Sequence, residues 1–294
     1  MKSTKSVSNL AAGNGRPETS RPVAPLHRFT FLLGALAVGT LPAAAEGFRN
    51  PPPGTFDLGR AGGRIAQVDD SSAVQQNPAN LVDLLAPEIQ FTPTIVYISA
   101  DYHSPTGEAA STKNPWKFLP NLFATMPLYN GKLALGLGVT VPYGLGADWK
   151  TDTSAFSRPA GAWRYQSPYV AELQTFNFNP AVGLKVNDHL SLGAGLDVMY
   201  SSVTLKQLYP WFMSTQNLAS PDGHVRARAD GIGAGANFAA TIHVTEHQRF
   251  ALTLRTPIRV DYSGHFQVDN FPLGGNLRDK LETSIKFPTI FSAG

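Results

Sequence analysis

The residues best suited to binding a ligand are an apolar run and the cation that precedes it. Residues 208–213 read LYPWFM, and Lys206 lies two positions before the run. An exposed apolar cluster of this size usually marks a binding surface, so the run predicts a capture groove for a hydrophobic ligand. The candidate contacts are Leu208, Tyr209, Trp211 and Phe212. The alternatives are a loop that packs on its surroundings or, for Trp211, an aromatic belt at a membrane interface.

A second set of cations occurs on the polar face of alternating segments. Lys185, Arg255 and Arg259 stand between apolar residues, which predicts that they point into an enclosed interior. Arg255 and Arg259 are therefore candidates to contact the anionic group of a ligand. Ion pairs with carboxylates such as Asp69 and Asp70 are the favoured alternative, because a charge in such an interior needs a partner.

The sequence shows no pattern typical of a catalytic or metal-binding site. It contains no G-x-S-x-G string, and its seven histidines show no H-E-x-x-H spacing. Ser263, Gly264 and His265 suggest an outer-membrane lipase, but neighbouring residues on a strand point apart, so this interpretation is the weakest. The glycine-rich residues 231–235 lack the strand–turn–helix context of a nucleotide loop. We therefore predict no enzyme, no cofactor and no metal site.

These residues belong to long segments in which apolar and small or polar residues alternate. From Lys132 to Pro142, Leu or Val occupies every second position, and Ala, Gly or Thr occupies the positions between. Strict alternation places the large apolar side chains on one face of a strand and leaves the other face nearly bare. The pattern recurs in four segments: 176–186, 190–201, 232–244 and 250–262. Runs of this length fit tilted membrane-crossing strands, which need about 9–11 residues, and predict an outer-membrane β-barrel.

Alternation and turn residues together predict about eight strands. Their approximate ranges are 89–102, 116–129, 132–143, 169–186, 189–207, 225–244, 249–266 and a last strand from 283. Short turns at 130–131, 187–188 and 246–247 alternate with long connections at 103–115, 144–168, 208–224 and 267–282. In such barrels the short turns face the periplasm and the long loops face the cell exterior.

The first 45 residues are typical of a secretory signal peptide. Five basic residues precede an apolar run from Phe31 to Leu41, which ends in a small-residue cleavage site at 43–45. The whole chain has a net charge of +3, but residues 46–294 carry 19 basic and 20 acidic residues, so the charge indicates no nucleic-acid partner. The absence of cysteine rules out a disulfide scaffold. Export after cleavage and barrel strands together predict the outer membrane of a Gram-negative bacterium.

The stretch before the first strand, residues 46–88, lacks alternation and carries distinctive short strings. They are Leu58–Gly63, Asp69–Asp70, Val74 and Asn77–Ala79, together with Gly47–Phe48, Val141–Trp149 and Arg249–Arg255 elsewhere. These strings resemble the FadL/TodX family (OMPP1), outer-membrane transporters of long-chain fatty acids and other hydrophobic compounds. The resemblance implies an all-β protein, a fourteen-stranded transmembrane antiparallel β-barrel at residues 89–294 whose lumen is plugged by a hatch at 46–88. Because about eight strands are present and Gly294 ends the chain without a terminal aromatic residue, we expect about six strands to be missing.

The resemblance also implies roles for individual residues. In the family an arginine near the end of the fifth strand contacts the ligand carboxylate; the aligned position here is Gln207, with Lys206 beside it. Phe48, at the start of the hatch, is a further candidate ligand contact. Tyr143-Gly144 matches a step near a kink that opens a lateral route into the membrane, and Pro142 removes a ladder donor there. The alternative is that these residues merely end the strand.

In the hatch, Asn77, Pro78 and Ala79 are expected to be structural first, because Asn turns before proline are common, and to take part in the gate second. The predicted function is uptake of long-chain fatty acids or other hydrophobic compounds through a hatch-gated channel with lateral release. A general porin is the main alternative and a barrel lipase the weaker one. Expected partners are the hydrophobic ligand, outer-membrane lipid, lipopolysaccharide and the barrel assembly machinery, with the protein a monomer.

Overall fold

A computed structural model describes residues 48–294, except positions 54, 61, 159–160, 162, 246–247 and 273. The predicted signal peptide, residues 1–45, lies outside the described residues. Within the described part of the chain, no helix is long and apolar enough to cross a membrane.

Residues 48–87, called the N-terminal segment below, form short helices joined by turns. Helix α1 spans Thr55–Gly59, helix α2 spans Ala73–Gln76, and a 3₁₀ helix spans Pro78–Asp83. Pro78 suits the first position of that helix, where a missing N–H leaves no bond unmade. The preceding Asn77 caps it, since its side-chain oxygen accepts the Ala79 N–H at 3.0 Å.

Fifteen strands follow among the described residues. Their ranges are β1 Glu88–Phe91, β2 Thr94–Tyr97, β3 Asp101–His103, β4 Ala109–Ser111, β5 Trp116–Leu119, β6 Leu122–Leu128, β7 Leu133–Thr140, β8 Gly144–Asp148, β9 Val170–Asn187, β10 Leu190–Tyr209, β11 Gly223–Thr245, β12 Gln248–Arg255, β13 Ile258–Val268, β14 Leu277–Phe287 and β15 Ile290–Ala293. Helix α3, Trp211–Thr215, and two 3₁₀ helices, Tyr129–Gly131 and Ser154–Phe156, lie in connections. Each predicted strand has a counterpart, but the first is divided into β1–β3 and the second into β5 and β6.

Most strands form one antiparallel sheet. Its path runs β1-β6-β7-β9-β10-β11-β12-β15, with β8 on β9, and with β13 and β14 extending from β11. Because β2 pairs with β5 and β3 pairs with β4, β1 to β6 form one interrupted hairpin. The longest strands, β9, β10 and β11, hold 18, 20 and 23 residues. They are about twice as long as a membrane crossing requires.

The two faces of the sheet differ as the alternation predicts. The inner face contacts the N-terminal segment, and its polar residues on β9 and β10, such as Asn177 and Ser191, are buried. The outer face carries large apolar side chains that none of the described residues covers, such as Phe178, Leu196 and Phe238. An exposed apolar face on strands of this length is the lipid-facing surface of a membrane barrel.

The predicted strand at 249–266 is wrong in one respect, because it breaks at Thr256-Pro257 and reverses its faces there. Before the break Leu252 is exposed, whereas after it Ile258 and Val260 are buried. Two causes act together. Proline cannot donate to a ladder, and the stripe of Gly231, Gly233 and Gly235 on β11 lets β13 pass very close. A Cβ on Gly233 would lie only 2.4 Å from the carbonyl oxygen of Arg259.

Candidate functional site

The N-terminal segment docks on glycines of the inner face. A Cβ on Gly193 of β10 would lie 2.3 Å from the nitrogen of Ala79 and 2.3 Å from the carbonyl carbon of Pro78. A Cβ on Gly183 of β9 would lie 2.7 Å from the Pro78 oxygen. Only a residue without a side chain allows two backbones to approach so closely. The bare face of the alternating segments is therefore the surface that receives Pro78 and Ala79.

Asn77 ties the segment to the wall through its side-chain amide. It is fully buried, and its Nδ2 donates to Thr241 Oγ1 on β11 at 2.9 Å and to the Ile65 oxygen at 2.6 Å. Nearby, Arg249 on β12 forms an ion pair with Asp83 at 2.9 Å. These contacts support the structural role that the sequence suggests for residues 77–79.

Arg255 joins the barrel wall to the same segment. Its guanidinium pairs with Asp197, a fully buried carboxylate on β10, and its Nη2 donates to the Gln75 oxygen at 2.8 Å. Asn177 and Asn237 also donate to Asp197, at 2.6 and 3.2 Å. The favoured prediction of an ion pair is thus observed for Arg255, but its partner is Asp197 on the wall and not Asp69 or Asp70.

Asp69 and Asp70 pair instead with Arg64, within the N-terminal segment. Arg64 is buried and reaches Asp70 at 3.2 Å, Asp57 at 3.6 Å, and Asp69. Burial raises the pKa of the Asp57 carboxyl, against the opposing effects of the Gln76 hydrogen bond and the Arg64 charge. The segment therefore carries its own charged core.

A cavity of about 490 Å³ lies between the N-terminal segment and the sheet. Small-molecule pockets usually measure about 300–1,000 Å³, so the volume suits a small ligand. Four predicted residues line it: Pro78, Pro142, Tyr143 and Arg255. Phe48 lies beside it, with its ring 6.2 Å from that of Tyr143. Apolar Val141 and Ile290 share the wall with the Arg255 guanidinium, which gives a surface suited to an apolar molecule with a polar end.

The predicted third strand is interrupted at Tyr143-Gly144. Residues 141–143 oppose only two residues of β9, which makes a β-bulge, and pairing resumes with Gly144 as β8. The N-terminal segment occupies the bulge: the Asn50 N–H donates to the Pro142 oxygen and the Gly144 N–H donates to the Phe48 oxygen, both at 2.9 Å. The step is therefore a break within the strand and a contact point of the segment, and the strand does not end there.

Backbone pairing in the wall is interrupted beside this bulge. Among the described strands β5 pairs only with β2 and β8 only with β9, so no ladder joins β5 to β8. The β6–β7 ladder closes the wall on one side of the opening, and a bridge between Thr112 and Trp149 closes it on the other. Lys117 reaches across, with its Nζ 3.0 Å from the position of a Cβ on Gly146. The unpaired stretch between β5 and β8, called the lateral gap below, lies next to the cavity-lining residue Tyr143.

The apolar run at 208–213 is partly packed and partly exposed. Leu208 and Trp211 are buried, and Trp211 donates its indole N–H to the Asp269 oxygen at 3.2 Å and packs edge-on against Phe271 at 5.2 Å. Tyr209 is exposed and Phe212 half-buried, with its ring 5.8 Å from that of Tyr165. For Leu208 and Trp211 the geometry favours loop packing; Tyr209 and Phe212 remain available as ligand contacts.

The structure does not bring the other predicted cations to the cavity. Lys206 lies on the outer face, in the same ladder row as Arg226, whereas its neighbour Gln207 donates inward to the Tyr165 oxygen at 2.7 Å. Arg259 is 67% exposed and pairs with Asp261, because the face reversal at 256–257 puts it opposite the buried Val260. The prediction that Arg259 lies in an enclosed interior is therefore wrong.

Comparisons with known proteins identify the family. Residues 36–292 match the model of the outer membrane protein transport protein family, OMPP1/FadL/TodX. The chain belongs to this family. The long-chain fatty acid transport protein of Escherichia coli K12 is 26% identical over 265 residues, which cover 80% of this chain and 57% of that protein.

Solved structures of OMPP1/FadL/TodX proteins share the fold. A Pseudomonas aeruginosa FadL homologue aligns with a TM-score of 0.66 and 19% identity, over 84% of this chain and 65% of its own. The Ralstonia pickettii toluene transporter TbuX aligns with a TM-score of 0.59 and 18% identity, over 76% and 62%. The chain thus spans a little more than half the length of the Escherichia coli relative. The predicted family, the β-barrel fold class and the outer-membrane location are confirmed.

Sequence reasoning missed two residues that shape the cavity and its surroundings. Arg49 lines the cavity, and Asp197 is the partner of Arg255. An acidic residue on an otherwise small and polar strand face was the available signal for Asp197. The argument against a lipase was wrong in its geometry: Ser263 and His265 are two residues apart and share one groove. Within the described residues no hydrogen bond joins them, and their ladder partners are Asp230 and Arg228.

Proposed function

We propose that this protein is an outer-membrane channel for long-chain fatty acids or other hydrophobic compounds, with the N-terminal segment as its hatch. The observation that carries the proposal is the docked segment, which covers the inner face and leaves the cavity of about 490 Å³ between itself and the wall. The names of the relatives support the substrate class, since one is a long-chain fatty acid transport protein and another a toluene transporter.

Uptake begins at the long loops, where Tyr209 and Phe212 offer apolar contacts, and continues in the cavity. There Arg255 is the candidate for a carboxylate, although it already pairs with Asp197, and Phe48 contributes apolar contact beside Tyr143. Release follows the lateral gap between β5 and β8. Because Phe48 and Asn50 pair with the bulge beside that gap, movement of the hatch changes the gap as well. Asn77, Pro78 and Ala79 are the part of the hatch that must undock.

The proposed route of assembly follows from the sequence and the fold. The signal peptide is cleaved after Ala45, the hatch spans residues 46–88, and the barrel begins at 89, one residue after the start of β1 at Glu88. We further propose that the barrel assembly machinery inserts the protein and that the barrel contacts outer-membrane lipid and lipopolysaccharide. We expect the protein to be a monomer. No catalytic step is included, because the family members named here are transport proteins.

A disulfide lock tests whether the hatch must move. Ser71 Oγ lies 3.0 Å from Thr125 Oγ1 on β6, so the double variant Ser71→Cys, Thr125→Cys can form a disulfide between the hatch and the wall. Because the chain has no cysteine of its own, no other disulfide can form within it. The periplasm is oxidising enough for this bond to form. We expect uptake of radiolabelled oleate and of toluene to stop and to return when reductant is added.

A matched control uses Thr215→Cys with Ser220→Cys, whose oxygens are 2.7 Å apart within the loop at 208–224. This second cross-link leaves the hatch free and should preserve uptake. Uptake that survives the Ser71–Thr125 lock contradicts the hatch proposal. A large steady conductance of the locked protein in planar bilayers indicates a general porin instead, and hydrolysis of lipid that disappears with Ser263→Ala indicates a lipase.

A further inference from the structure

A cluster of cations lies on the outer face, away from the cavity. Three successive cross-strand rows over β10, β11, β13 and β14 bring it together. The rows, starting nearest the apolar band, are Ser202–Asp230–Ser263–Glu282, then Thr204–Arg228–His265–Lys280, then Lys206–Arg226–Gln267–Arg278. Residues that are direct partners in an antiparallel ladder point to the same side, so all twelve share one face.

On β10 and β11 this face meets lipid further along the strands, whereas on β13 and β14 the rows continue as the exposed pairs Asp261–Ser284 and Arg259–Lys286. The row before the cluster holds Tyr200 and Ile232, with Phe176 as the partner of Tyr200 on β9. All three are exposed, and they form the aromatic and apolar edge of the band. The β10–β11 ladder runs from this band into the cation rows without a register shift. The outer face of these two strands therefore changes from apolar to cationic over two rows.

The cation rows lie just beyond the lipid head-group layer, which is about 5–8 Å thick, and their long side chains reach back into it. The second and third rows are four and six residues beyond Tyr200, which places them about 9 and 14 Å above the band on strands tilted by about 45°. They also lie toward the long connection at 208–224, at the end of the strands that is expected to face the cell exterior. The short turn at 187–188 lies at the opposite end.

The cluster lines a groove, and no ion pair among the described residues neutralises its cations. A groove of about 650 Å³ runs along it. Its cations are Arg226, Arg228, Arg278 and Lys280. Over the described residues none of these four forms an ion pair with a carboxylate, although the chain pairs many of its other charges. Asp230 and Glu282 line only the row nearest the apolar band.

We infer that this groove, called the cation groove, binds the phosphate groups of the outer-leaflet lipid, lipopolysaccharide. Guanidinium groups bind phosphate with two parallel hydrogen bonds, and three arginines in adjacent rows suit a lipid with more than one phosphate. A lipid fits better than free phosphate, because on β10 and β11 the groove continues into the apolar band, where Tyr200 and Ile232 offer exposed surface to acyl chains. The inference does not depend on which compound the channel transports.

Titration with bisphosphorylated lipid A tests the site on the full chain in detergent micelles. The variant Arg226→Gln with Arg228→Gln should weaken binding about thirtyfold, the effect of two surface cations on an anionic lipid. The control variant Lys132→Gln with Lys185→Gln removes the same charge at the short-turn end, where both side chains are exposed, and should leave affinity nearly unchanged. Asp230→Asn with Glu282→Gln removes the two carboxylates and should tighten binding.

Competition identifies the ligand chemistry. Dephosphorylated lipid A should fail to displace the labelled lipid, and inorganic phosphate should displace it only at far higher concentration. Equal weakening by the two cation variants overturns the inference, as does equal competition by dephosphorylated lipid A. Displacement by inorganic phosphate at the lipid's own concentration assigns the groove to a free anion and also overturns it. A heat-modifiable band on gels verifies that each variant is a folded barrel.

Discussion

Replacing Gly193 by alanine is expected to weaken the docking of the N-terminal segment while leaving the barrel intact. The new Cβ would lie 2.3 Å from the Ala79 nitrogen and the Pro78 carbonyl carbon, and 2.8 Å from the Pro78 oxygen. Contacts of a real Cβ below 3.0 Å are essentially never seen, and the atoms in the way belong to backbone. Pro78 and Ala79 must therefore move away. Inserting a methyl group into a packed site costs about 1–3 kcal/mol.

That cost converts into a measurable rate. Amide hydrogens of residues 74–84 that exchange only when the N-terminal segment undocks should exchange about 5- to 150-fold faster in Gly193→Ala. Amides of the β9–β10 ladder should keep their protection, because alanine fits an extended strand. Gly59→Ala is the matched control, since nothing lies within 4 Å of its Cβ. Unchanged exchange in residues 74–84 of Gly193→Ala refutes the close docking of Pro78 on β10.

Three other changes test separate parts of the structure. Arg255→Leu leaves Asp197 buried without its cation and should lower the free energy of unfolding by about 3–5 kcal/mol; adding Asp197→Asn should recover much of the loss in the same denaturant titration. Because the folded pKa of Asp57 is raised, its contribution to stability is full below the unfolded value of 3.8 and is lost as pH rises through the folded value. Asp57→Asn should therefore show a smaller fall in unfolding midpoint between pH 4 and pH 7 than the unchanged protein, and an equal fall counts against the shift. Trp211→Ala should speed proteolysis within 208–224, whereas Met213→Ala, at a side chain 71% exposed, should not; similar rates for both exclude the packing role of Trp211.

Parts of the site could be predicted because the signal is local. The residue types at 77–79 identify a turn, and Pro142 with Gly144 identifies a place where a ladder is interrupted. The structure shows both features: the turn at 77–79 is the part of the N-terminal segment that docks on β9 and β10, and Phe48 and Asn50 of the same segment bond to the interruption. Their roles in gating stay predictions.

Other parts could not be predicted, because they depend on which strand lies beside which. Arg255 was expected to find a carboxylate, but Asp197 is 58 residues away and reaches it only through the order β10-β11-β12. The alternation predicts the wrong face for Arg259, because the break at Thr256-Pro257 shifts the alternation by one residue. Every later side chain of the strand therefore points to the opposite face.

The sequence by itself determined that long strands with one apolar face cross the outer membrane, because a period of two depends only on neighbouring residues. It also determined that the opposite face is bare enough to receive a packed segment. Only the tertiary structure decided that this segment docks on Gly183 and Gly193, and that Arg226, Arg228, Arg278 and Lys280 meet on one outer surface. These outcomes depend on strand register, which joins residues from distant parts of the chain and leaves no trace in the local pattern.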